Sequence, residues 1–258
     1  MRLVVKVGTS TLAHPTGRLN IRHVESLCKV LSDLKNSGIE VILVSSGAIG
    51  MGVGKLNLKS RPEDMATKQA AAAVGQCELM YTYDKLFSEY NHTVAQILLT
   101  GYDVRNKDSY TNFCNTMFRL LDMGVLPIIN ENDTVSTEEI SIGDNDTLSA
   151  IVAASVKADL LVLLSDIDGL YTADPHKCAD ARLIDRVEEI TADITALAGG
   201  AGTSQGTGGM VTKINAAQMC MSSGCDMIIT NGGNPEILYD IAEGKKVGTR
   251  FVAAEVKD

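Results

Sequence analysis

Short apolar runs alternate with longer amphipathic segments from one end of this sequence to the other. Leu3–Val7, Glu40–Ser45 and Asp159–Ser165 have the length of strands, and segments with helical spacing such as Ile21–Leu34 and Met65–Tyr90 separate them. A strand, a helix and a second strand in succession form a parallel β-sheet whose faces are covered by helices. The pattern therefore predicts an α/β fold with an open, mainly parallel sheet sandwiched between helices.

The other predicted elements continue the alternation. The predicted strands are His92–Leu99, Val125–Asn130, Met227–Thr230 and Phe251–Val256, and the predicted helices are Asn106–Met123, Asp144–Ala158, Met210–Ser223 and Pro235–Glu243. The segment Thr134–Ile142 alternates apolar with polar residues and predicts a hairpin on the surface. No linker, low-complexity tract or repeat divides the sequence, so we predict one domain over residues 1–258.

Charge and composition exclude several classes of protein. The sequence has 23 Lys and Arg against 32 Asp and Glu, a net charge of −9, whereas a protein that binds nucleic acid needs a basic surface. The N-terminus does not resemble a secretory signal, and no uninterrupted apolar run approaches the roughly 18 residues of a membrane span. We therefore predict a cytoplasmic protein with no nucleic acid and no membrane partner.

The cysteines indicate neither disulfides nor a zinc site. The six are Cys28, Cys77, Cys114, Cys178, Cys220 and Cys225. They form no CxxC pair, and four of them fall in predicted helices. We expect buried free thiols, and we expect no metal site built from protein ligands.

Lys6 interrupts the first apolar strand, two residues before Gly8. An unpaired ammonium group is costly to bury, so Lys6 must reach solvent or find a counter-charge. At the carboxyl end of a strand its amine would reach a phosphate group of a ligand bound beyond the sheet. The alternative is a lysine on an edge strand whose amine extends into water.

The second apolar strand leads into a turn of small residues, Ser45–Gly50. Small residues let the backbone approach a ligand closely, and the N–H groups of a helix that starts there favour an anion. The alternative is a tight turn with ordinary helix caps.

Two polar clusters, Asn130–Asp133 and Gly143–Asp146, flank the predicted hairpin. Carboxylates accept hydrogen bonds from an ammonium group and amides donate to carboxylates, which suits an amino acid as ligand. Helix capping and turn formation are the alternative for each cluster, because Asn and Asp do both routinely. Since the two clusters flank a single segment, we favour a binding site.

Two later segments suit a nucleotide. Ser165–Pro175 follows the most hydrophobic strand, and Tyr171 in it is a candidate to cover a base. Gly206–Lys213 is rich in glycine and ends in a lysine where a helix begins, although its spacing is not that of GxxxxGK[ST]. Such a loop can hold phosphates through its N–H groups, and a flexible surface loop is the alternative. No GxGxxG fingerprint follows the first strand, which disfavours a nicotinamide-dependent oxidoreductase.

Six segments taken together resemble the amino acid kinase family. They are VVKVGTS at 4–10, LVSSGAIGMG at 43–52, LPIINENDTV at 126–135, IGDNDTLSA at 142–150, LLSDIDGLYTADP at 163–175 and GTGGMVTK at 206–213. The combination of INEND, GDND, GLYTADP and GTGGMxTK resembles the members that phosphorylate free glutamate. The resemblance implies a three-layer αβα fold, with an amino acid site toward the N-terminus and a nucleotide site toward the C-terminus.

The resemblance also implies a role for individual residues. The implied catalytic residues are Lys6, Lys213 and Asp146, with Asp146 organising the two lysines. The implied glutamate-binding residues are Ser46, Gly47, Asn130, Asp133 and Asn145. The implied nucleotide-binding residues are Lys6, Ser165, Asp166, Thr207, Gly208, Gly209, Met210, Val211, Thr212 and Lys213.

The implied reaction is transfer of the γ-phosphoryl group of ATP to the γ-carboxylate of L-glutamate, the first step of proline biosynthesis. The implied cofactors are ATP and a Mg²⁺ ion carried with it, and the implied partners are glutamate, proline as a feedback inhibitor, and further copies of the chain in a homodimer or homotetramer. The alternatives are another kinase of the family, such as acetylglutamate kinase, or a non-catalytic amino acid sensor on the same fold.

The sequence departs from the pattern of many bacterial members in one respect. Those members continue into a C-terminal PUA domain, a small β domain, and we expect none here because the sequence ends at Asp258. We expect catalysis to survive without it.

Overall fold

The computed structural model describes residues 1–14, 16, 18–137, 142–175, 177–178, 180–198 and 209–254. The strands are β1 (Arg2–Val7), β2 (Glu40–Ser45), β3 (Val94–Leu99), β4 (Leu126–Glu131), β5 (Leu160–Ser165), β6 (Arg186–Val187), β7 (Asp226–Asn231) and β8 (Thr249–Phe251). The helices are α1 (Thr9–Leu12), α2 (Ile21–Asn36), α3 (Ala48–Lys55), α4 (Met65–Ser88), α5 (Gly101–Arg105), α6 (Lys107–Asp122), α7 (Asn145–Ser155), α8 (Ala192–Ala198), α9 (Met210–Ser222) and α10 (Ile237–Ala242).

The strands form a sheet in the order β3-β4-β2-β1-β5-β7-β8-β6. The first six strands in that order run parallel, β8 is antiparallel to β7, and β6 is parallel to β8. Helical connections between parallel strands follow from the alternation in the sequence. The predicted open, mainly parallel sheet with covering helices is confirmed.

Each face of the sheet carries its own hydrophobic core. On β5, Leu161 and Leu163 pack with residues of α6, α7 and α9, whereas Leu160, Val162 and Leu164 pack with residues of α2, α4 and α10. A central parallel strand is buried on both faces, which explains why β5 is apolar at every position before its last. The same alternation along β1 places Lys6 on the face of Val4, which is the face covered by α7 and α9.

Helices α3 and α4 cross at a distance that only glycine allows. A Cβ atom at Gly52 would lie 1.8 Å from the carbonyl oxygen of Ala71, and one at Gly75 would lie 1.7 Å from that of Ala48. Each glycine therefore accommodates the backbone of the opposite helix. Because α3 begins directly after Ser46 and Gly47, this crossing fixes the predicted glutamate-binding turn against α4.

The predicted elements lie within a few residues of the observed ones, with three exceptions. Phe251–Val256 was predicted as a strand, but β8 spans Thr249–Phe251 and residues 252–254 carry no regular structure. In the predicted hairpin, residues 133–135 form a turn and 136–137 are irregular, while 138–141 lie outside the described residues. No bounds were predicted for the short elements α1, α3, α5, α8 and β6, since they are too short for a clear hydrophobic period, although a helix start was expected at the Ser45–Gly50 turn.

All six cysteines are free, as expected. Cys28, Cys220 and Cys225 are buried, but Cys77 and Cys178 are exposed, so the expectation of burial was wrong for these two. Among the described residues, no helix combines the length and the apolar character needed to cross a membrane.

The crossing of α3 and α4 predicts a large effect of a single methyl group. Gly75→Ala should lower the free energy of unfolding by about 3 kcal/mol or more, because its Cβ would overlap backbone that cannot move alone. Urea unfolding monitored by circular dichroism measures the change. Gly50→Ala is the matched control, because a Cβ there lies 3.5 Å from Thr9 Cγ2, an ordinary contact. Equal stabilities of the two variants would contradict the prediction.

Candidate active site

The predicted site residues gather at the carboxyl ends of four neighbouring strands. In the sheet order β4-β2-β1-β5, Asn130 lies near the end of β4, Ser46 follows β2, Lys6 is the penultimate residue of β1 and Ser165 ends β5. The carboxyl ends of parallel strands meet at one edge of the sheet, where ligands bind in open α/β folds. The sheet therefore brings together residues that are far apart in the sequence.

Asp146 is held between two lysines. Its Oδ1 lies 2.6 Å from the Nζ of Lys6, and its Oδ2 lies 2.9 Å from the Nζ of Lys213. The hydroxyl of Thr212 lies 3.1 Å from the same Oδ2 and 2.8 Å from the carbonyl oxygen of Gly209. The side chain of Asp146 is 2% exposed, that of Lys213 7% and that of Lys6 12%. The lysines of β1 and α9 thus meet at one carboxylate of α7.

The two lysines keep Asp146 ionised. Burial alone would raise the pKa of the Asp146 carboxyl group, but the charges of Lys6 and Lys213, and their hydrogen bonds to it, hold the pKa below its ordinary value. Two ammonium groups and one carboxylate leave this group, the Lys6–Asp146–Lys213 triad, with one net positive charge. A positive charge that is mostly withdrawn from solvent is suited to an anionic ligand such as a phosphate.

A second network joins three of the predicted glutamate-binding residues. The side-chain Nδ2 of Asn145 lies 2.7 Å from Ser46 Oγ, 2.8 Å from the carbonyl oxygen of Ser45 and 3.0 Å from Asn130 Oδ1, and these three acceptors share its two hydrogens. Asn130, which is buried, donates in turn to Gln76 Oε1 at 2.9 Å. Because Asn145 and Asp146 are adjacent in the first turn of α7, the amide network and the triad are neighbours.

Two helices start at this edge of the sheet with glycine as their N-cap. Gly47 precedes α3 in the left-handed region (φ 99°), and Gly209 precedes α9. Neither cap makes a side-chain hydrogen bond to the helix, and neither helix has an acidic residue in its first turn. Uncapped N–H groups of a first turn favour an anion, so both starts suit the carboxylate or phosphate groups of ligands.

Asp133 lies in the turn after β4, three residues beyond Asn130 of the amide network. Burial, and then the nearby carboxylate of Glu131, raise its pKa to about 6, while Arg61 acts in the opposite direction. Glu131 is itself buried and accepts hydrogen bonds from Ser136 Oγ at 3.0 Å and from the backbone N–H of Ile142 at 2.8 Å. Glu131 therefore ties together the two ends of the segment that carries Asp133.

The structure describes most, but not all, of the predicted nucleotide-binding residues. Thr207 and Gly208 lie outside the described residues, whereas Gly209–Lys213 form the start of α9. The side chain of Met210 packs in the core and that of Val211 is half exposed. Ser165 Oγ donates to Asp166 Oδ1 at 3.2 Å at the end of β5.

Tyr171 was predicted as a cover for a base. Its hydroxyl donates to Asp168 Oδ2 at 3.1 Å, and Asp168 Oδ1 accepts from Asn231 Nδ2 at 2.8 Å. These contacts join the loop after β5 to the end of β7. The role of Tyr171 toward a base stays a prediction.

Gln76 and Tyr83, two buried residues of α4, were not predicted as part of the site. Tyr83, which is fully buried, forms a 2.9 Å hydrogen bond with Ser45 Oγ. A signal for Gln76 was present, because Ala72, Gln76, Leu79 and Tyr83 share the buried stripe of α4. A polar side chain in such a stripe needs a buried partner.

Residues 1–231 match the model of the Amino acid kinase family. The chain belongs to this family. The resemblance that the six motifs predicted is thereby confirmed.

Within the described ranges, no group of three or more His, Cys, Asp or Glu side chains is placed to hold a metal ion.

Relatives of high identity extend over nearly the whole chain. Glutamate 5-kinase of Clostridium perfringens is 55% identical over 98% of this chain and 95% of its own length. Glutamate 5-kinase of Clostridium tetani is 57% identical over 97% of this chain and 94% of its own length. Glutamate 5-kinase of Caldanaerobacter subterraneus is 54% identical over 98% of this chain, but only 68% of that relative is covered.

Solved structures of two kinases share the fold. Isopentenyl phosphate kinase of T. acidophilum matches with a TM-score of 0.67 at 20% identity, covering 97% of this chain and all of the other. Carbamate kinase of Giardia lamblia matches with a TM-score of 0.69 at 17% identity, covering 98% of each chain. At these identities the likeness concerns the fold alone.

The raised pKa of Asp133 predicts a pH-dependent stability. Because the folded pKa lies above that of the unfolded chain, protonated Asp133 stabilises the fold, and this contribution is lost as the pH rises through about 6. Asp133→Asn should therefore raise the free energy of unfolding by about 1 kcal/mol at pH 8, a value discounted for partial exposure, and by less toward pH 4. Urea titrations across this pH range measure the difference.

The matched control for this prediction is Asp84→Asn, the same change on the exposed face of α4, which should alter the free energy of unfolding at pH 8 by less than about 0.5 kcal/mol. A gain from Asp133→Asn that is larger at pH 4 than at pH 8 would contradict the assignment.

Proposed function

We propose that this chain is a glutamate 5-kinase, which transfers the γ-phosphoryl group of ATP to the γ-carboxylate of L-glutamate and forms L-glutamyl 5-phosphate, in the first step of proline biosynthesis. The observation that carries the proposal is the Lys6–Asp146–Lys213 triad beside the Asn145 amide network. Relatives named glutamate 5-kinase at 55% and 57% identity over nearly the whole chain support the choice of substrate.

In this proposal the two lysines supply the positive charge for phosphoryl transfer. Negative charge accumulates on the equatorial oxygens of the group in transit, and fixed cations that face it lower the barrier. Lys6 and Lys213 are oriented by a carboxylate they share, so neither has to reorganise when the charge develops. Their common burial strengthens the effect, since less water screens the charges.

Asp146 is a positioning residue in this mechanism and does not act as a base. Both of its oxygens are engaged by the lysines, and its lowered pKa makes it a poor proton acceptor. A base is also unnecessary, because the attacking γ-carboxylate is already ionised at neutral pH. Removing Asp146 would leave two ammonium groups without the anion that aims them.

The residues present fit a nucleotide brought in with its own metal ion. The start of α9 offers backbone N–H groups and the ammonium group of Lys213 to phosphates. The ion would arrive as part of the ligand, and when bound it would neutralise charge on the phosphates that Lys6 and Lys213 face.

The amide network and Asp133 form the proposed glutamate subsite. Ser46, Gly47 and Asn145 lie at the start of α3 and α7, where N–H groups and the Ser46 hydroxyl suit a carboxylate. The Asp133 carboxylate supplies the negative charge that an α-ammonium group requires. In this proposal the amino acid lies next to Asp146, and so next to the lysines that stabilise the phosphoryl group.

The test of the proposed function is a phosphorylation assay with the purified chain. With MgATP and L-glutamate we expect glutamate-dependent release of ADP, and hydroxylamine should trap the acyl phosphate as a hydroxamate. N-acetylglutamate should not replace glutamate, because its acylated nitrogen has no ammonium charge for Asp133. ADP release without glutamate-dependent hydroxamate, or a preference for N-acetylglutamate, would contradict the proposal.

The lysines should affect turnover more than binding. Lys6→Ala and Lys213→Ala should each lower kcat by a factor of about 10² to 10³, with smaller changes in either KM, because the charge they stabilise develops in the transition state. Steady-state kinetics on folded protein measure the effect. Lys245→Ala is the control, since that exposed lysine binds Asp240 and Glu243 at the surface. A near wild-type kcat would remove the substituted lysine from the mechanism.

We propose that the chain forms a single kinase domain. Its proposed additional partners are proline, as a feedback inhibitor, and further copies of the chain. Both proposals rest on the resemblance to the family. Proline added to the hydroxamate assay should raise the apparent glutamate KM, and insensitivity at millimolar proline would contradict this. Light scattering should report a dimer or tetramer, and a monomer at micromolar concentration would contradict that.

A further inference from the structure

The side-chain amide of Gln76 lies at the end of a hydrogen-bonded chain that leads to the proposed glutamate subsite. Gln76 Oε1 accepts from Asn130 Nδ2 at 2.9 Å, and Asn130 Oδ1 accepts from Asn145 Nδ2 at 3.0 Å. Gln76 is 7% exposed and Asn130 is 2% exposed. An amide buried to this degree is held by its hydrogen bonds, because losing one leaves a polar atom without water to replace it.

Two backbone groups determine the orientation of the side-chain amides of Gln76, Asn130 and Asn145, that is, which end of each amide is the oxygen and which the nitrogen. The N–H of Glu131 donates to Asn130 Oδ1 at 2.9 Å, which fixes the oxygen of Asn130 on that side and turns its Nδ2 toward Gln76. Gln76 must then present its oxygen. The carbonyl oxygen of Ser45, 2.8 Å from Asn145 Nδ2, likewise requires the nitrogen of Asn145. The orientation of all three amides thus follows from groups that can only donate or only accept.

This orientation determines what Asn145 offers to a ligand. Its Nδ2 is engaged by Ser45, Ser46 and Asn130, so its remaining polar atom is Oδ1, an acceptor. Ser46 Oγ accepts from Asn145 and keeps its own hydrogen to donate. An α-ammonium group therefore fits Asn145 Oδ1, and a carboxylate fits the Ser46 hydroxyl. In this orientation Asn145 would accept from the α-ammonium group, whereas the sequence led us to expect asparagine to donate to the carboxylates of the substrate.

We propose that Gln76 is a positioning residue that sets the polarity of the glutamate subsite, by holding Asn130 so that Asn145 presents an acceptor to the α-ammonium group. The proposal rests on the proposed function and adds a residue and an atom assignment to it. Gln76 acts only through Asn130 and Asn145 and is separated from the ligand by both. The carbonyl oxygen of Gln76 carries this role, because it accepts the hydrogen bond from Asn130, and the bulk of the side chain is secondary.

Two substitutions of similar size separate the acceptor from the bulk of the side chain. Gln76→Met removes the acceptor, and we expect the glutamate KM to rise about tenfold or more while the ATP KM stays within about twofold. Gln76→Glu keeps an acceptor oxygen whether or not it is protonated, and it should stay within about threefold of wild type in glutamate KM. Gln218→Met, the same change at an exposed position of α9, is the control.

Glutarate, which is glutamate without the amino group, tests the atom assignment. Wild type should prefer glutamate over glutarate in kcat/KM, and in Gln76→Met this preference should fall about tenfold, because glutarate makes no use of Asn145 Oδ1. A general loss of packing would lower both substrates equally and would overturn the proposal. Equal effects of Gln76→Met and Gln76→Glu, or an unchanged KM in Gln76→Met, would also overturn it.

Two further measurements keep the outcome decisive. Should Gln76→Met fail to fold, Gln76→Asn withdraws the amide by one methylene group and should raise the glutamate KM in the same way. Should wild type not phosphorylate glutamate, the proposed function fails by itself, and a crystal structure of Gln76→Met decides the inference. Displacement of the Asn145 amide from Asn130 would support it, and an unmoved Asn145 would overturn it.

Discussion

A buried carboxylate shared by two lysines is the interaction on which this site depends. Lys6 comes from the first strand, Lys213 from α9 late in the chain, and Asp146 from α7 between them. Burial disfavours each of these charges alone, and only their mutual contact makes all three acceptable. The result is a fixed excess of one positive charge in a protein whose net charge is −9. A polyanion can thus be held locally although the molecule as a whole repels it.

The first turn of α7 divides the site into a charged half and a neutral half. Asp146 engages the lysines, whereas its neighbour Asn145 engages amides and hydroxyls that carry no charge. The charged half is oriented by opposite charge, and the neutral half is oriented by backbone N–H and C=O groups. Since the two residues are adjacent on one helix, the distance between the halves is set by the geometry of a single turn. That arrangement suits a reaction that joins two ligands at a fixed separation.

The fold, the charged residues and three members of the neutral network, Ser46, Asn130 and Asn145, could be predicted from the sequence, but Gln76 and the direction of the amides could not. Lys6 is conspicuous because a charge within an apolar strand demands a partner, and motif resemblance indicated Asp146 and Lys213. Gln76 gave a weaker signal, because its partner Asn130 is 54 positions away and no local rule joins them. The direction of the Asn145 amide depends on the backbone of β2 and β4, which only the folded chain brings together. Short elements such as α3 were missed because tertiary packing, and not local pattern, stabilises them.

Helix α4 carries two adjacent residues with different structural roles. Gly75 lets the backbone of α3 approach, and Gln76 reaches the amide network. An insertion or deletion of one residue ahead of them would rotate both by about 100° around the helix axis, so that the close crossing and the polar contact would be lost together. An insertion or deletion in this helix should therefore be tolerated only near its ends, beyond the stretch from Gly75 to Tyr83. Within that stretch the chain can vary in its exposed side chains but not in its register.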